Sequence, residues 1–146
     1  MNAPLTIRKH NLNIGFTGSR KGMTDAQKAK VKELMSLLHP NESHHGDATG
    51  SDMEFHQIAR SLHGSKIVTH PSDATQYRAY CPANETRAPL PPLTRNKNIV
   101  NAVDMLIATP DGTKEKPRSG TWSTIRAAKN IGLEVVVVSP MGQLIE

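Results

Sequence analysis

The chain has 146 residues, close to the common size of one domain, and this length suffices to bury one substantial core. It contains no run of about 18 apolar residues and no signal-peptide pattern near its start, so we expect a cytoplasmic protein without membrane contact. The formal net charge of +5 favours anionic partners, but two tyrosines, two phenylalanines and one tryptophan are too few to predict a base-stacking surface for nucleic acid. We therefore expect one domain, residues 1–146, that binds a small phosphorylated ligand.

The first part of the chain predicts a strand, a helix and a second strand. The apolar run at residues 12–16 is typical of a buried strand. Thr24 is typical of an N-cap, and the apolar spacing after it predicts a helix from Asp25 to about Leu38. A short second strand is predicted at Glu42–His45. The predicted buried face of the helix comprises Val31, Leu34, Met35 and Leu38.

The next part of the chain repeats this alternation. A turn at residues 46–50 leads into a helix predicted from Ser51 to about Leu62, and a third strand is predicted at residues 66–70. The predicted buried side of this second helix comprises Met53, Ile58, Ala59 and Leu62.

Two later strands are predicted on either side of a helix-like run. A fourth strand is expected within residues 102–108, and the last is Glu134–Val138, whose four consecutive valines suit a strand buried on both faces. Residues 71–94 contain five prolines, which are too many for a central element, and the segment is too long for an ordinary connector. We expect this segment to be either a lid or a disordered flap.

Alternating strands and helices predict an α/β fold of the Rossmann-like, doubly wound kind. The mainly parallel sheet should have about five strands, with helices on both faces. Ligands of such sheets bind beyond the carboxyl ends of the strands, near the point where the strand order reverses. If the first strand is central, the loops at residues 17–20, 46–52 and 109–121 open on that same edge.

The segment before the helix-like run at residues 125–131 is the most informative part of the chain. The first backbone N–H groups of a helix have no intrahelical partner and lie at the positive end of the helix dipole, so they stabilise a phosphate. Arg118 and the neighbouring hydroxyls add donors. The alternative is an ordinary capped helix start, in which Gly120 permits a tight turn.

Four short motifs occur in the order seen in the SLOG superfamily. They are GFTGSR at residues 15–20, HGDATGSD at 45–52, RNKNIV at 95–100 and RSGTW at 118–122. The resemblance spans residues 12–138 and is closest to the small YspA-like group, which is related to the Lonely-guy phosphoribohydrolases and to the Rossmann-like domain of DNA-processing protein A. It implies a Rossmann-like fold, a nucleotide or nucleotide-derived ligand, and assembly into a homo-oligomer, a dimer or larger.

The chain departs from the catalytic motif of the Lonely-guy enzymes. Gly120 and Thr121 match the Gly-Thr of that motif, and Arg95 resembles the family arginine, but Thr124 stands where the motif has a glutamate. A hydroxyl does not replace a carboxylate as a general base. A carboxylate from another loop remains an alternative, and the candidates are Asp52, Glu54, Asp104 and Asp111.

The candidate ligand-binding residues come from these motifs. They are Thr17, Gly18, Ser19, Arg20, Gly46, Gly50, Ser51, Asp52, Arg95, Arg118, Ser119, Gly120, Thr121 and Thr124. The two glycines of the second motif would let the backbone approach a ligand, and Asp52 would accept a hydrogen bond from a ribose hydroxyl. The motif glycines and hydroxyls have a simpler alternative as ordinary turn residues.

We expect no metal and no cofactor. His44 and His45 are adjacent on a strand and therefore point to opposite faces, and the lone Cys81 has no metal-ligand spacing around it. Trp122 is more typical of a packing residue than of a base-stacking one.

The favoured function is binding of a small nucleotide-derived or phosphoribosyl ligand, for sensing or sequestration. The alternative is an N-glycosidic hydrolase of nucleoside monophosphates. A DNA-binding module is the third possibility, and only the basic charge favours it.

Overall fold

The computed structural model describes residues 12–62 and 64–145, in which strands and helices alternate as predicted. The strands are β1 (Asn13–Gly18), β2 (Glu42–His45), β3 (Lys66–Thr69), β4 (Glu85–Thr86), β5 (Met105–Thr109), β6 (Glu134–Val138) and β7 (Leu144–Ile145). The helices are α1 (Asp25–Leu38), α2 (Ser51–Arg60), α3 (Pro92–Ala102) and α4 (Gly120–Asn130), with a 3₁₀ turn at Thr75–Tyr77.

The strands form one sheet in the order β4-β3-β2-β1-β5-β6-β7. All neighbouring pairs are parallel except β6 and β7. The predicted α/β Rossmann-like fold is confirmed, and β1 is central, with β2 on one side and β5 on the other. The predicted number of about five strands is wrong, because β4 and β7 extend the two edges. Each has only two residues, too short to show a periodic pattern.

Helices cover both faces of the sheet. The α1 helix packs beside α2, and α3 packs beside α4. Alternate residues of β5 belong to opposite sides: Met105 and Ile107 join the larger core under α1 and α2, whereas Leu106 contacts α3 and α4. In β6, Val136 and Val137 divide in the same way, which agrees with the prediction of a strand buried on both faces.

The α1 helix begins as predicted. Thr24 accepts a hydrogen bond from the Gln27 backbone, and the Gln27 side chain accepts one from the Thr24 backbone, which completes a capping box. Gln27 is buried, and its amide also donates to the carbonyls of Pro110 and Val138. This side chain therefore joins the start of α1 to the ends of β5 and β6.

One helix lies where none was predicted, and one predicted buried residue of another helix is exposed. Residues 92–102 form α3, and the strand expected within residues 102–108 is β5, Met105–Thr109. The prolines of α3 are compatible with a helix, because Pro91 precedes the helix and Pro92 occupies the first turn, where no backbone donor is needed. In α2, Met53 is 41% exposed, whereas Phe55 is fully buried and stacks on Phe16.

Candidate functional site

A cleft of about 610 Å³ opens at the carboxyl edge of the sheet, where β1 and β5 lie side by side. Its lining comes from the loops after β1, β2 and β5, from the segment after β3 and from the start of α3. The strand order reverses at β1, so the cleft lies at the switch point where such folds bind ligands.

The cleft collects most of the residues singled out from the sequence. Those that line it are Thr17, Gly18, Ser19, Arg20, Gly46, Asp52, Arg95, Arg118, Ser119, Gly120 and Thr121. Gly50, Ser51 and Thr124 are not part of this lining.

The three residues outside the lining have internal contacts. Gly50 has a φ of +89°, and a Cβ there would overlap the carbonyl of Arg20. The Ser51 hydroxyl donates to the carbonyl of Ser19 at 2.5 Å. The Thr124 side chain is fully buried, and its hydroxyl donates to the carbonyl of Gly120 at 2.9 Å. These three residues support the loops around the cleft and do not line it.

The start of α4 forms the open end of the cleft. The helix begins at Gly120, earlier than the run at residues 125–131, so Gly120 and Thr121 belong to its first turn. Ser119 is the N-cap and accepts a hydrogen bond from the backbone of Trp122 at 3.3 Å. A Cβ at Gly120 would meet no atom within 4 Å, and Arg118 is exposed without an ion pair to any described residue. The backbone N–H groups of this first turn and the Arg118 guanidinium therefore face open space.

The opposite end of the cleft is buried and polar. Arg95 donates from Nη1 to the carbonyl of Gly46 at 2.6 Å and to that of His70 at 3.2 Å, while its Nε donates to Oδ1 of Asn96 at 2.7 Å. Asp52 Oδ2 and this guanidinium both lie within 3 Å of the position that a Cβ at Gly46 would occupy, and the same oxygen accepts from the backbone of Ala48 at 3.1 Å. A cation and a carboxylate therefore face one backbone turn.

Asp52 carries the most perturbed carboxyl group in the cleft lining. Burial raises its pKa to about 6, although the nearby Arg95 guanidinium and the hydrogen bond from Ala48 oppose this shift. The carboxyl group is thus half protonated just below neutral pH. Such a group can accept a hydrogen bond or hold a proton in the physiological range.

The other candidate carboxylates are unsuited to a role in the cleft. Asp111 lines it, but Lys116 at 2.9 Å and Lys21 at 3.5 Å pair with it, and the hydrogen bond from Lys116 leads in lowering its pKa. Glu54 accepts from the backbone of Met23. Asp104 precedes β5 and accepts from the backbone of Asn13, so it lies at the opposite edge of the sheet.

The segment predicted as a lid or a flap forms one wall of the cleft. Asp47 holds it: its carboxylate accepts from Arg78 Nε at 3.0 Å and from the backbone of Cys81 at 2.8 Å, and its carbonyl accepts from Ala79. The carbonyl of Tyr77 accepts from the backbone of Thr49. These hydrogen bonds tie the segment to the loop after β2, and its last residues, 92–94, belong to α3.

Several residues of the lining were missed by sequence reasoning. They include Lys21, Asp47, Tyr77, Arg78, Asn96 and Lys116. Lys21, Asp47 and Asn96 adjoin or lie within the motifs at residues 15–20, 45–52 and 95–100, so the motifs marked their neighbourhood. Tyr77 and Arg78 lie in the proline-rich segment, and no local pattern marked them.

Two pairs of histidines lie behind the cleft. His44 contacts His70 at 2.8 Å, and His45 Nε2 contacts His56 Nδ1 at 2.9 Å. His45, His56 and Cys81 offer ligand atoms within 4.8 Å of one another, the arrangement among the described residues that could hold a metal. The backbone of Asp47 donates to His45 Nδ1, so Nε2 carries the proton donated to His56. A metal bound to Nε2 of His45 would have to displace that proton.

Trp122 is 7% exposed and packs with Ala108, Ile125 and Val137. Its ring does not line the cleft, so Trp122 is a packing residue, as predicted.

The side chains that line the cleft include six cationic groups and three carboxylates, an excess of positive charge that suits an anionic ligand.

In sequence comparisons, no family model and no curated protein matches the chain. Solved structures do resemble it. A molybdenum cofactor binding protein from the phototrophic bacterium Rippkaea orientalis has a TM-score of 0.67 and 20% identity, covering 91% of this chain and 78% of that one. TM1055, a structural genomics target, has a TM-score of 0.61 and 15% identity, covering 86% of this chain and 73% of that one. At these identities the likeness shows a shared α/β Rossmann-like fold.

Among the described residues, no helix is long and apolar enough to cross a membrane.

Proposed function

We propose that this chain is a SLOG-type protein that binds a small nucleotide-derived or phosphoribosyl ligand, to sense or sequester it. The observation that carries the proposal is the open first turn of α4, where Gly120 leaves space and Arg118 has no ion pair among the described residues. A phosphate there would accept from free backbone N–H groups and from the guanidinium.

The two ends of the cleft suit the two ends of such a ligand. The phosphate lies at Ser119, Gly120 and Thr121, and the sugar points toward the buried turn, where Asp52 accepts from a hydroxyl. Arg95 already holds the backbone carbonyls of Gly46 and His70, so it positions this turn as well as adding positive charge.

Isothermal titration with mononucleotides, ADP-ribose, cyclic nucleotides and molybdenum cofactor tests the proposal. Arg118→Ala and Gly120→Asp should each weaken phosphate-bearing ligands at least tenfold, since the first removes a cation and the second adds an anion at the helix start. Lys114→Ala is the matched control, because it removes the same charge from an exposed site in the same loop outside the cleft lining. No binding by the intact protein, or undiminished binding by both variants, would refute the site.

Hydrolysis of an N-glycosidic bond is the second candidate, and the buried carboxyl of Asp52 is the observation that favours it. A carboxyl group whose pKa is about 6 can protonate a leaving base near neutral pH, while water adds to the anomeric carbon. Chromatography of released base tests this candidate. Turnover well above a buffer blank, abolished by Asp52→Asn, would make hydrolysis the better description. Absence of released base would contradict hydrolysis.

The proposal also includes a homo-oligomer, a dimer or larger, which the resemblance implies, and a cytoplasmic location. Sedimentation equilibrium tests the assembly, and a monomer at all concentrations would contradict it. No observation on the cleft favours DNA binding over a small ligand.

A further inference from the structure

We propose that Tyr77 and Arg20 form a subsite for a flat heteroaromatic ring, which would make the ligand a phosphorylated compound bearing such a ring. This inference rests on the phosphate site proposed above and adds the second recognition element of the same cleft. The sequence analysis named Arg20 only as a general ligand contact and did not name Tyr77.

Tyr77 is the aromatic side chain available for stacking in the cleft. All five aromatic residues lie in the described part of the chain. Phe16 lines the cleft but has no exposed surface, Phe55 is also fully buried, and Trp122 packs beneath α4. Tyr80 is exposed outside the lining. Tyr77 alone both lines the cleft and exposes its ring, with 44% of the residue accessible.

The Arg20 side chain covers one face of the Tyr77 ring. Its guanidinium carbon lies 4.0 Å from the centroid of the Tyr77 ring, in a cation–π contact. A flat ring needs roughly 3.5 Å on each side, so none fits between the two groups at this separation. The ring must therefore displace the guanidinium from Tyr77. Arg20 is exposed, and its flat head can then stack on the other face of the ring.

Both residues are anchored through their backbones. Gly50 packs directly on the backbone of Arg20, and the Tyr77 carbonyl accepts a hydrogen bond from Thr49 at 2.8 Å. The two side chains thus project from one loop pair that the fold holds in place. Only the arginine head has to move, which keeps the ordering cost of ring binding small.

The combination of groups defines the chemical class of the ligand. A phosphate turn, a buried carboxyl group and a stacking ring line one cleft of about 610 Å³, within the usual size range of small-ligand pockets. Stacking on tyrosine tolerates different heteroaromatic rings, because each offers a π face. A sugar phosphate without a ring would fill only part of the cleft.

Titration of adenosine and guanosine 5′-monophosphates against ribose 5-phosphate tests the subsite, because these ligands share the phosphate and differ in the ring. Tyr77→Leu should weaken the better-bound mononucleotide about tenfold and leave ribose 5-phosphate within twofold. Tyr77→Phe should retain binding. Arg20→Lys keeps the charge and loses the flat face, so it should weaken the mononucleotide by roughly threefold.

Tyr80→Leu is the matched control. Tyr80 makes the same kind of contact, with Arg78 at 4.5 Å, but lies outside the cleft lining, and its loss should change neither affinity. Equal loss of both ligands in Tyr77→Leu, an equal effect of Tyr80→Leu, or equal affinity of the intact protein for mononucleotides and ribose 5-phosphate would overturn the ring subsite alone. Failure of the intact protein to bind any of the three would refute the phosphate site and the subsite together.

Discussion

The polar groups at the two ends of the cleft differ in burial and in hydrogen-bond partners. At the β2 end, Asp52 and Arg95 bond to backbone groups and Asp47 pairs with Arg78; the two carboxylates are buried and Arg95 is partly buried. At the α4 end, Arg118 is exposed and the first helical turn faces space that a Gly120 side chain would not fill. The polar groups of the first end already have partners within the protein, whereas the second end is where we propose that a phosphate binds.

This difference separates residues that stabilise the fold from residues that we propose to bind a ligand. A buried polar group that loses its hydrogen-bond partner lowers the free energy of unfolding. An exposed donor at a helix start can bond to water, so it costs little stability when no ligand is bound. Substitutions at the β2 end should therefore change stability first. Substitutions at the α4 end should change affinity and leave stability nearly intact.

The largest contrast is expected between two glycines. Gly50→Ala places a Cβ against the Arg20 carbonyl at a positive φ, so the free energy of unfolding should fall by about 3 kcal/mol or more. Gly120→Ala meets no atom and adds helix propensity, so stability should hold within about 0.5 kcal/mol or rise. Urea denaturation measures both. Equal losses would show that the two ends do not differ as described.

Asp52→Asn should change the pH dependence of stability. The pKa of Asp52 is about 6 in the folded protein and ordinary, near 3.8, in the unfolded chain, so ionisation opposes folding. The wild-type penalty begins near the unfolded pKa, grows as pH rises and is complete above about pH 7. The variant should gain about 3 kcal/mol relative to wild type at pH 8 and much less at pH 4. A constant difference across this range would show that Asp52 is not a perturbed group.

Asp52 should also make ligand binding depend on pH. If its carboxylate accepts a sugar hydroxyl, affinity for ADP-ribose should rise as pH increases through about 6, and Asp52→Asn should remove that rise. ADP-ribose is the suitable probe, because its phosphates do not titrate in this range, unlike the phosphate of a monoester. A rise that persists in the variant would assign the pH dependence to another group.

Asp47→Asn should loosen the wall formed by the segment after β3. Asparagine tolerates the positive φ of 56° at this position, so the change isolates the lost charge opposite Arg78. A cost of about 1.5 kcal/mol is expected. Hydrogen exchange should show faster exchange of the Ala79 and Cys81 amides, which bond to Asp47, with the α4 amides unchanged. Uniform acceleration throughout the chain would contradict a local role.

The smallest effect is expected at Thr124. Thr124→Val removes a hydroxyl whose only hydrogen bond among the described residues goes to the Gly120 carbonyl, so stability should fall by about 1 kcal/mol. Affinity for mononucleotides should stay within twofold, because this side chain does not line the cleft. A large loss of affinity with little loss of stability would restore Thr124 to the binding surface.

Local patterns predicted much of the fold and part of the site. The valine run predicted β6 with its observed bounds, Thr24 predicted the start of α1, and the segment from Arg118 to Thr121 predicted a helix start that faces the cleft. These features depend on neighbours within a few residues along the chain. Backbone propensity, capping and hydrophobic periodicity act over that range, so the sequence alone displays them.

Other features depend on residues that are distant along the chain. Phe55 is buried because Phe16 stacks on it, which the helical pattern that favoured Met53 does not reveal. The α3 helix was missed because its prolines resemble those of a loop until the first turn is placed. The edge strands β4 and β7 exist only as pairs with β3 and β6.

The sequence by itself determined the class of fold and the helix start at the α4 end, because both follow from local backbone chemistry. Only the tertiary structure decided which groups share the cleft. Arg20 covers the Tyr77 ring, Asp47 bonds to the segment after β3, and Asp52 is buried near Arg95. Contacts across the carboxyl edge of a parallel sheet join loops far apart in sequence. Burial and charge at such a site are therefore properties of the packed chain.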